Sequence, residues 1–505
     1  MKFPNWLSQR SIQKKDAIAL IFRSPVNQEV ERWTYAELEA EVNHWVERLQ
    51  TLGIKSGDRV GLLHTNHPRY IMLVHALVAC EAITVFLNIR LTDAELRWQI
   101  EDSLTKYLLC DEATQLTAHS LDNQVDSLIV VNLSNHLASA STVKSIRSDG
   151  LLGNSIQGIF YTSGTTGTPK AVPLTYNNHF YSAIASALNL GIEPNDNWLL
   201  CMPLFHVGGL AIAWRSVING TKITLLPKFN EQEVLEAIAI EEVTIISLVP
   251  TMLRRLLAHP QWQNLRNLRA ILLGGAPAIP ELIEQCLQLH LPLMPTYGMT
   301  ETASQITTLS SHEVAMKRGS SGLPLFGNQL RIVDDHEQDL AVGETGQILV
   351  QGASVMNGYL NQSESTPIQG GWLNTGDLGY VDRDGYLYVV SRRSDLIISG
   401  GENIYPSEIE AVLLKHSAIA EVCVVGISDR EWGEIVVAII VTDLQLSLEE
   451  IRDFCEQRSL ARYKLPKSIY IWKSLPKTVS GKLLRKQIRD HIEKLQGFCS
   501  DTIRL

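Results

Sequence analysis

The sequence predicts an α/β protein. It has a large N-terminal body of mainly parallel sheets flanked by helices, a small β-rich subdomain and a smaller C-terminal α+β lid. Three observations support this class. Helical and strand-like runs alternate up to about residue 320, short strands and turns follow, and a separate α+β pattern begins after Ser394. Because 505 residues exceed a single hydrophobic core, we predict domains over 1–393, with the β-rich subdomain at 320–393, and over 394–505.

The first predicted helix begins at a capping box, Thr34-Tyr-Ala-Glu37, and ends before Gly53. The alternation that follows is typical of parallel sheets covered on both faces. Its predicted elements are strand 59–63, a helix over about 69–82, strands near 83–87, 106–110, 127–132, 222–226, 243–248 and 268–273, and helix 231–240.

Short strands separated by turns predict the β-rich subdomain. In the lid, Ser447-Leu-Glu-Glu450 is a second capping box, which predicts another helix. The predicted elements here are strands 329–333, 346–351, 385–390, 421–426 and 434–442, a helix over 406–416 and a last helix of about 482–494.

The composition excludes several classes of protein. The chain is 45% hydrophobic and 19% charged, as in an ordinary globular protein. A net charge of −10 without a long basic run disfavours nucleic acid as a partner. Seven cysteines without a C-x-x-C pair favour reduced thiols over a zinc site. No signal peptide or membrane-spanning run is recognisable, so we expect a cytoplasmic protein without stable membrane insertion.

The run from Tyr161 to Lys170 is rich in hydroxyls and glycines and ends on a lysine. Such a loop cradles phosphate, because glycines let several N–H groups face one anion and lysine adds a charge. The alternative is a polar surface loop. It is not a Walker A loop, because Thr168 and Pro169 separate the second glycine from the lysine. The candidate phosphate ligands are Thr162, Ser163, Gly164, Thr165, Thr166, Gly167 and Lys170.

This run resembles the phosphate loop of the acyl-adenylate-forming superfamily, which includes acyl- and aryl-CoA ligases, luciferases and peptide-synthetase adenylation domains. The family usually has glycine after the lysine, and this chain has Ala171. The resemblance implies an enzyme that joins a carboxylic acid to AMP, using ATP and Mg²⁺, and then passes the acyl group to CoA.

A second segment, Tyr297 to Thr302, follows an apolar run. Tyr297 is suited to packing on adenine, Thr300 to donating to the α-phosphate and Glu301 to binding Mg²⁺. The alternative is a turn with a surface acid, and the family resemblance implies the nucleotide roles. It also places further residues of two segments in the nucleotide site, namely Gly298, Met299, Gly275, Ala276 and Pro277.

Thr375-Gly-Asp377 is either an Asx-type turn or a site in which Asp377 accepts hydrogen bonds from the ribose hydroxyls. The resemblance favours the ribose role. In Ser391-Arg-Arg-Ser-Asp395, the family pattern assigns a nucleotide contact to Arg392 and the lid hinge to Ser394, where the family usually has Asp or Lys. A small side chain is compatible with a change in φ and ψ.

Pro476 to Lys482 matches the motif P-x-x-x-x-G-K, in which the family's catalytic lysine bridges the carboxylate and the α-phosphate. A solvated surface lysine is the alternative. The resemblance also implies that His206 borders the acyl carboxylate, although a histidine among apolar residues is often a core residue. After lid rotation, Gly400 and Gly401 would line the channel for CoA.

Six segments narrow the resemblance to the o-succinylbenzoate–CoA ligases of menaquinone and phylloquinone synthesis: 203–210, 215–220, 244–253, 272–277, 297–310 and 391–410. Their acid is an aromatic dicarboxylate, which needs apolar walls and donors for its second carboxylate. The alternatives are that Arg215 pairs with an acid and that Ser304 caps a helix. The candidate acid-site residues are Arg215, Gly274, Gly275, Ala276, Ser304, Gln305 and Thr308.

Other functions stay open at this point. The same motifs suit a CoA ligase for another aryl or a fatty acid, or an enzyme that loads a carrier protein. A nucleotide-binding regulator without catalysis is the alternative from another class. It predicts loss of the lysine or the metal ligand, yet Lys482 and Glu301 are both present.

Overall fold

The computed structural model describes residues 1–24, 29–133, 150–162, 169–276, 280–361, 367–399, 402–429, 432–458, 460, 462–478, 481 and 483–500. The elements up to residue 324 are β1 (Lys2–Phe3), α1 (Trp6–Gln13), β2 (Ile18–Arg23), β3 (Val30–Thr34), α2 (Tyr35–Thr51), β4 (Arg59–Leu63), α3 (Pro68–Ala79), β5 (Ile83–Phe86), α4 (Asp93–Asp102), β6 (Tyr107–Cys110), α5 (Gln115–Asp122), β7 (Ile129–Asn132), β8 (Leu151–Leu152), β9 (Ile156–Thr162), β10 (Lys170–Thr175), α6 (Tyr176–Leu190), β11 (Asn197–Leu200), α7 (Val207–Asn219), β12 (Lys222–Leu225), α8 (Glu231–Ile240), β13 (Ile245–Leu248), α9 (Pro250–Ala258), β14 (Ala270–Leu273), α10 (Pro280–Gln288), β15 (Leu293–Met299), β16 (Ser304–Thr308) and β17 (Leu323–Pro324).

The later part of the chain contains more strands than helices. Its elements are β18 (Asn328–Val333), β19 (Gly346–Gly352), β20 (Ile368–Gln369), β21 (Trp372–Val381), β22 (Leu387–Arg392), β23 (Ile397–Ser399), β24 (Glu402–Ile404), α11 (Pro406–Leu413), β25 (Glu421–Asp429), β26 (Gly433–Val441), α12 (Leu448–Glu456), β27 (Ser468–Trp472) and α13 (Arg485–Ser500). In the described part of the chain, no helix combines the length and apolarity needed to cross a membrane.

The chain folds into two compact units. The first contains 1–274, 281–329 and 350–373, and the second contains 275–280, 330–349 and 374–505. Two large sheets form the first unit, with strand orders β10-β9-β5-β4-β6-β7 and β17-β16-β15-β14-β13-β11-β12-β2-β3. Neighbours in the interior of both sheets run parallel, whereas β10, β16, β17 and β3 pair antiparallel at the edges. The α/β fold with mainly parallel sheets is therefore confirmed.

The element boundaries follow local signals. Thr34 caps α2 with the reciprocal bonds of a capping box to Glu37, as predicted. The prediction that the next helix continues to residue 82 was wrong, because α3 ends at Ala79 and Glu81 has a φ of +54°. That left-handed conformation cannot continue a right-handed helix.

The sheet of the C-terminal part has the order β24-β23-β26-β25, with β27 beside β26. Its two faces bury alternate side chains of the same strand, as the period of two requires. On β25, Val422 and Val424 join one apolar cluster with residues of α11 and α12. Cys423 and Val425 join a second cluster with Ile488 of α13. Helices therefore cover both faces of this sheet.

Candidate active site

The turn from β15 to β16 is held by a close approach of two backbones. Both strands are antiparallel, and residues Thr300–Thr302 form a single 3-10 turn between them. A Cβ atom on Gly298 would lie 1.7 Å from the carbonyl oxygen of Ser304, so only glycine fits there. Tyr297, Met299, Thr300 and Glu301 are half-buried, which leaves them open to a ligand, whereas Thr302 is fully buried.

Two consecutive non-glycine residues in this turn adopt positive φ values, +51° for Ala303 and +107° for Ser304. Such conformations are strained and persist where the surroundings over-determine them. Here Ser182 Oγ donates to the Ala303 carbonyl oxygen at 2.7 Å, and Thr302 Oγ1 donates to the Ser304 carbonyl oxygen at 3.2 Å. Ser304 therefore begins a strand and does not cap a helix.

Glu301 and Lys170, predicted separately, contact the same side chain. Tyr359 Oη donates to Glu301 Oε1 at 3.0 Å. Lys170 Nζ lies 4.8 Å from the centre of the Tyr359 ring. A carboxylate, a phenol and an ammonium group therefore stand in one row, next to the predicted phosphate loop. Sequence reasoning missed Tyr359, a lone aromatic residue without a motif around it.

The phosphate loop itself connects two paired strands. β9 and β10 are antiparallel, and Thr162 is the register partner of Lys170, so the two ends of the loop are adjacent. The predicted ligands Ser163, Gly164, Thr165, Thr166 and Gly167 lie outside the described residues. Ala171 is 3% exposed and its methyl group joins the apolar core of the first sheet. The departure from glycine therefore adds core packing.

His206 follows a loop that is fixed by an asparagine of the connection between β4 and α3. Asn66 Nδ2 donates to the Met202 carbonyl oxygen at 2.8 Å, and Asn66 Oδ1 accepts from the Leu204 N–H at 2.9 Å. Burial, together with the charge of Arg90, lowers the pKa of His206 from 6.5 to about 4. The imidazole is therefore neutral near pH 7, which suits a side chain beside a reacting carboxylate. Sequence reasoning missed Asn66.

Arg215 is a buried guanidinium without an acidic partner. It is 2% exposed on α7, and neither Nε nor Nη2 has a hydrogen-bond partner within the described ranges. Its cation lies 5.4 Å from the centre of the Trp198 ring. Burial lowers the pKa of Arg215 to about 10. The alternative that Arg215 pairs with an acid is not seen in the part of the chain that the structure describes.

The other predicted acid-site residues form a hydrogen-bonded group on β16, which packs against α7. Gln305 Nε2 donates to Thr308 Oγ1 at 3.2 Å, while Gln305 Oε1 is buried without a partner among described atoms. Thr308 Oγ1 is also 3.0 Å from Thr296 Oγ1. Gly274 follows β14, where a Cβ atom would lie 2.8 Å from Thr296 Cγ2. These residues therefore form a tightly packed polar wall.

In the second unit, Asp377 and Arg392 are register partners on the antiparallel strands β21 and β22. Asp377 is buried, and Thr375 Oγ1 accepts a hydrogen bond from its N–H at 3.2 Å. The predicted ribose and nucleotide residues are thus adjacent, although the Arg392 side chain lies outside the described part. Gly275 has a φ of +77°, and Ala276 is half-buried.

The remaining predicted residues are described only in part. Ser394 is exposed in a single 3-10 turn between β22 and β23. Pro277, Gly400, Gly401 and Lys482 lie outside the described residues. The last helix begins at Arg485, three residues after the predicted catalytic lysine.

The class of protein follows from comparison with family models. Residues 7–360 match the family described as AMP-binding enzyme, and residues 408–482 match the AMP-binding enzyme C-terminal domain. The chain belongs to the AMP-binding enzyme family.

Named relatives within this family are similar over their full length. The 2-succinylbenzoate–CoA ligase of Bacillus pumilus is 43% identical, covering 99% of this chain and 100% of its own. The solved o-succinylbenzoate CoA synthetase of Bacillus subtilis, in complex with the acyl-adenylate intermediate OSB-AMP, is 40% identical with a TM-score of 0.89, covering 97% of this chain and 99% of its own. A structure of the same enzyme with ATP and magnesium ion has a TM-score of 0.88, covering 97% of this chain and 100% of its own.

Proposed function

We propose that this protein is an ATP-dependent acid–CoA ligase that converts 2-succinylbenzoate, ATP and CoA to the CoA thioester, AMP and diphosphate. The observation that carries this proposal is the full-length similarity to a solved ligase that holds its acyl-adenylate. The reaction has two steps. An oxygen of the acid attacks the α-phosphorus and diphosphate leaves; then the CoA sulfur attacks the acyl carbon, loses its proton and displaces AMP.

ATP and its cation would meet the row of Lys170, Tyr359 and Glu301. Mg²⁺ bound with ATP takes one or two carboxylates and fills its other positions with phosphate oxygens and water. The site fits this need, because Tyr359 occupies Oε1 of Glu301 while Oε2 has no bond to a described residue. The ion would supply charge neutralisation for the departing diphosphate. Tyr359 orients the carboxylate, and Lys170 adds positive charge beside the phosphates.

A dicarboxylate substrate would explain why the cation of Arg215 is buried on α7. A carboxylate that bonds Arg215 would compensate a buried cation, and a bidentate pair is among the strongest charge-assisted contacts. Gln305, Thr308 and Ser304 would complete this end of the acid, with Gly274 as a wall. Neutral His206 would border the reacting carboxylate. A simple fatty acid would leave Arg215 uncompensated, which favours the dicarboxylate over the competing ligases.

Further proposals concern C-terminal residues and rotation of the lid. We assign catalysis of the first step to Lys482, rotation to a hinge at Ser394 between domains 1–393 and 394–505, and the thiol channel to Gly400 and Gly401. We also place the enzyme in the cytoplasm. The six cysteines whose side chains the structure describes are unpaired, which suits a reducing compartment.

The first test measures diphosphate release with ATP, Mg²⁺ and a panel of acids, with and without CoA. The panel holds 2-succinylbenzoate, benzoate, a cinnamate and a medium-chain fatty acid. We expect strong preference for 2-succinylbenzoate and a CoA thioester as product. Preference for another acid would overturn the substrate, and no turnover with any acid would overturn the ligase.

The second test separates the two steps with Lys482→Ala. We expect formation of the adenylate to fall on the order of a hundredfold, the scale for losing one group that stabilises transition-state charge. Thioester formation from supplied acyl-adenylate should change little. Lys486→Ala is the matched control, because this lysine is exposed on α13. Equal losses in both steps would contradict the role of Lys482.

A further inference from the structure

Arg485, the first residue of α13, joins three parts of the second unit. Its Nη1 and Nη2 atoms donate to the two carboxylate oxygens of Glu410 on α11, each at 2.6 Å. Nη1 also donates to the Val424 carbonyl oxygen at 2.7 Å. Its Nε lies 3.3 Å from Oδ2 of Asp395. This fork of a planar guanidinium fixes direction as well as distance.

Asp395 directly follows the proposed hinge residue and is linked to it. Ser394 Oγ donates to Asp395 Oδ1 at 3.2 Å. A second arginine of the same helix, Arg489, donates from Nη2 to the Ser394 carbonyl oxygen at 3.4 Å. Two consecutive turns of α13 therefore hold residues 394 and 395, which are about 90 positions away in sequence.

Described residues on either side of position 482 in the sequence pair with each other. Lys477 and Leu483 form an antiparallel bridge, and the Leu484 N–H donates to the Pro476 carbonyl oxygen at 3.0 Å. Leu484 immediately precedes Arg485. A short covalent path therefore joins these paired residues to the arginine that holds Asp395.

We propose that Arg485 and Asp395 form a strut that ties the hinge to the lysine segment, so that Arg485 is a positioning residue for Lys482. Rotation about Ser394 would then move residue 482 as part of a rigid lid. This inference rests on the proposed function, because it assumes that Lys482 acts in adenylate formation and that the lid turns at Ser394.

The chain offers a mild way to break the strut. Asp395→Asn removes the charge but keeps the size of the side chain, and it leaves the bidentate pair of Arg485 with Glu410 intact. Glu408→Gln is the matched control: Glu408 lies on α11 and pairs with Lys464 at 2.7 Å, away from residues 394 and 395.

The experiment measures both half-reactions for each variant. For Asp395→Asn we expect adenylate formation to fall about tenfold, the scale for loss of one partly buried ion pair. Thioester formation from supplied acyl-adenylate should stay within about twofold, and Asp395→Glu should restore part of the loss. Glu408→Gln should leave both rates unchanged. Equal losses in both half-reactions for Asp395→Asn would overturn the proposed strut. Equal effects of Asp395→Asn and Glu408→Gln would also overturn it.

A double-mutant cycle with Lys482→Ala separates this inference from the proposed function. If Asp395 acts through Lys482, Asp395→Asn lowers adenylate formation no further in the Lys482→Ala background. A further tenfold loss there would overturn the strut and leave the ligase intact. Normal adenylate formation by Lys482→Ala alone would instead overturn the proposed role of the lysine. Should Asp395→Asn fail to fold, Arg485→Lys replaces it in the same cycle.

Discussion

A buried arginine and a half-buried arginine of this protein have opposite surroundings. Arg215 on α7 is 2% exposed, and its Nε and Nη2 are without partners in the described part of the chain. Arg485 at the start of α13 has an 18% exposed side chain and contacts two carboxylates and one carbonyl oxygen. Burial lowers the pKa of Arg215 to about 10. For Arg485, Glu410 and Asp395 outweigh the effect of burial and raise the pKa.

The difference supports the proposed ligand-binding role of Arg215 and a structural role of Arg485. A buried charge costs free energy unless an opposite charge and hydrogen bonds compensate it. Arg485 receives that compensation from its own chain, whereas Arg215 receives none from the acidic residues that the structure describes, which is why we propose a bound anion as its partner. Groups held in such an unfavourable state cluster at functional sites. The comparison predicts that the two arginines respond in opposite ways to the same substitution.

Arg485→Met has the largest expected effect, which is on stability. It removes the cation and leaves the half-buried Glu410 carboxylate with only the Val424 N–H as a donor, so we expect the free energy of unfolding to fall by about 3–5 kcal/mol. Unfolding in urea, followed by a spectroscopic signal of the second unit, measures the change. Arg462→Met is the control, because this arginine is 90% exposed and pairs with Glu456 at 3.5 Å. Its loss should cost at most about 1 kcal/mol. Equal changes for both variants would remove the structural role of Arg485.

Arg215→Met has a smaller effect, and the effect is on specificity. We expect the KM for 2-succinylbenzoate to rise about 10- to 100-fold, the scale of a lost charge-assisted contact of about 1.5–3 kcal/mol. A monocarboxylate analogue should show little change, because it lacks the second carboxylate. Stability should stay constant or rise, since an uncompensated buried charge is removed.

The control for Arg215→Met is Arg215→Lys, which keeps the charge but loses the planar fork. It should retain part of the preference for the dicarboxylate. A fall in stability for Arg215→Met, or an equal rise in KM for both acids, would place Arg215 in the core as a structural residue.

The sequence predicts local structure well but not the contacts between distant segments on which this comparison depends. Period and capping predict β4 at Arg59–Leu63 and α8 at Glu231–Ile240 with the bounds that the structure has. They cannot predict that β2 lies beside β12, because pairing across about 200 residues depends on topology. For the same reason, the sequence marks Arg215 as a candidate acid-site residue but does not reveal that it lacks an acidic partner.

The candidate site shows the same limit. Family motifs pointed to Lys170 and Glu301 separately, and only the fold reveals Tyr359 between them. Ser182, Asn66 and the contact of Arg485 with Asp395 likewise join residues far apart in sequence. Each of these is a single polar side chain without a spacing pattern, so no local signal marks it.

The smallest expected effect concerns His179, which senses the charge of Arg215. Burial, with Arg215 as the second cause, lowers the pKa of His179 from 6.5 to about 3. Because its pKa is lower in the folded protein, the unfolded chain binds more protons below pH 6.5. This group's contribution to stability is therefore present above pH 6.5 and is lost as the pH falls towards 3. In Arg215→Met one cause is removed, so the pKa of His179 should rise while staying below 6.5.

Titration of labelled histidines by NMR measures this shift, and His75 provides an internal reference. Burial alone lowers the pKa of His75, to about 4, so Arg215→Met should leave it unchanged. Each unit by which the pKa of His179 rises makes the loss of stability in acid smaller by about 1.4 kcal/mol. Binding of a dicarboxylate should raise the pKa of His179 in the same direction, because its second carboxylate compensates Arg215. If neither Arg215→Met nor binding of the dicarboxylate changes the pKa of His179, the Arg215 guanidinium is already compensated in the free protein. The contrast with Arg485 would then be wrong.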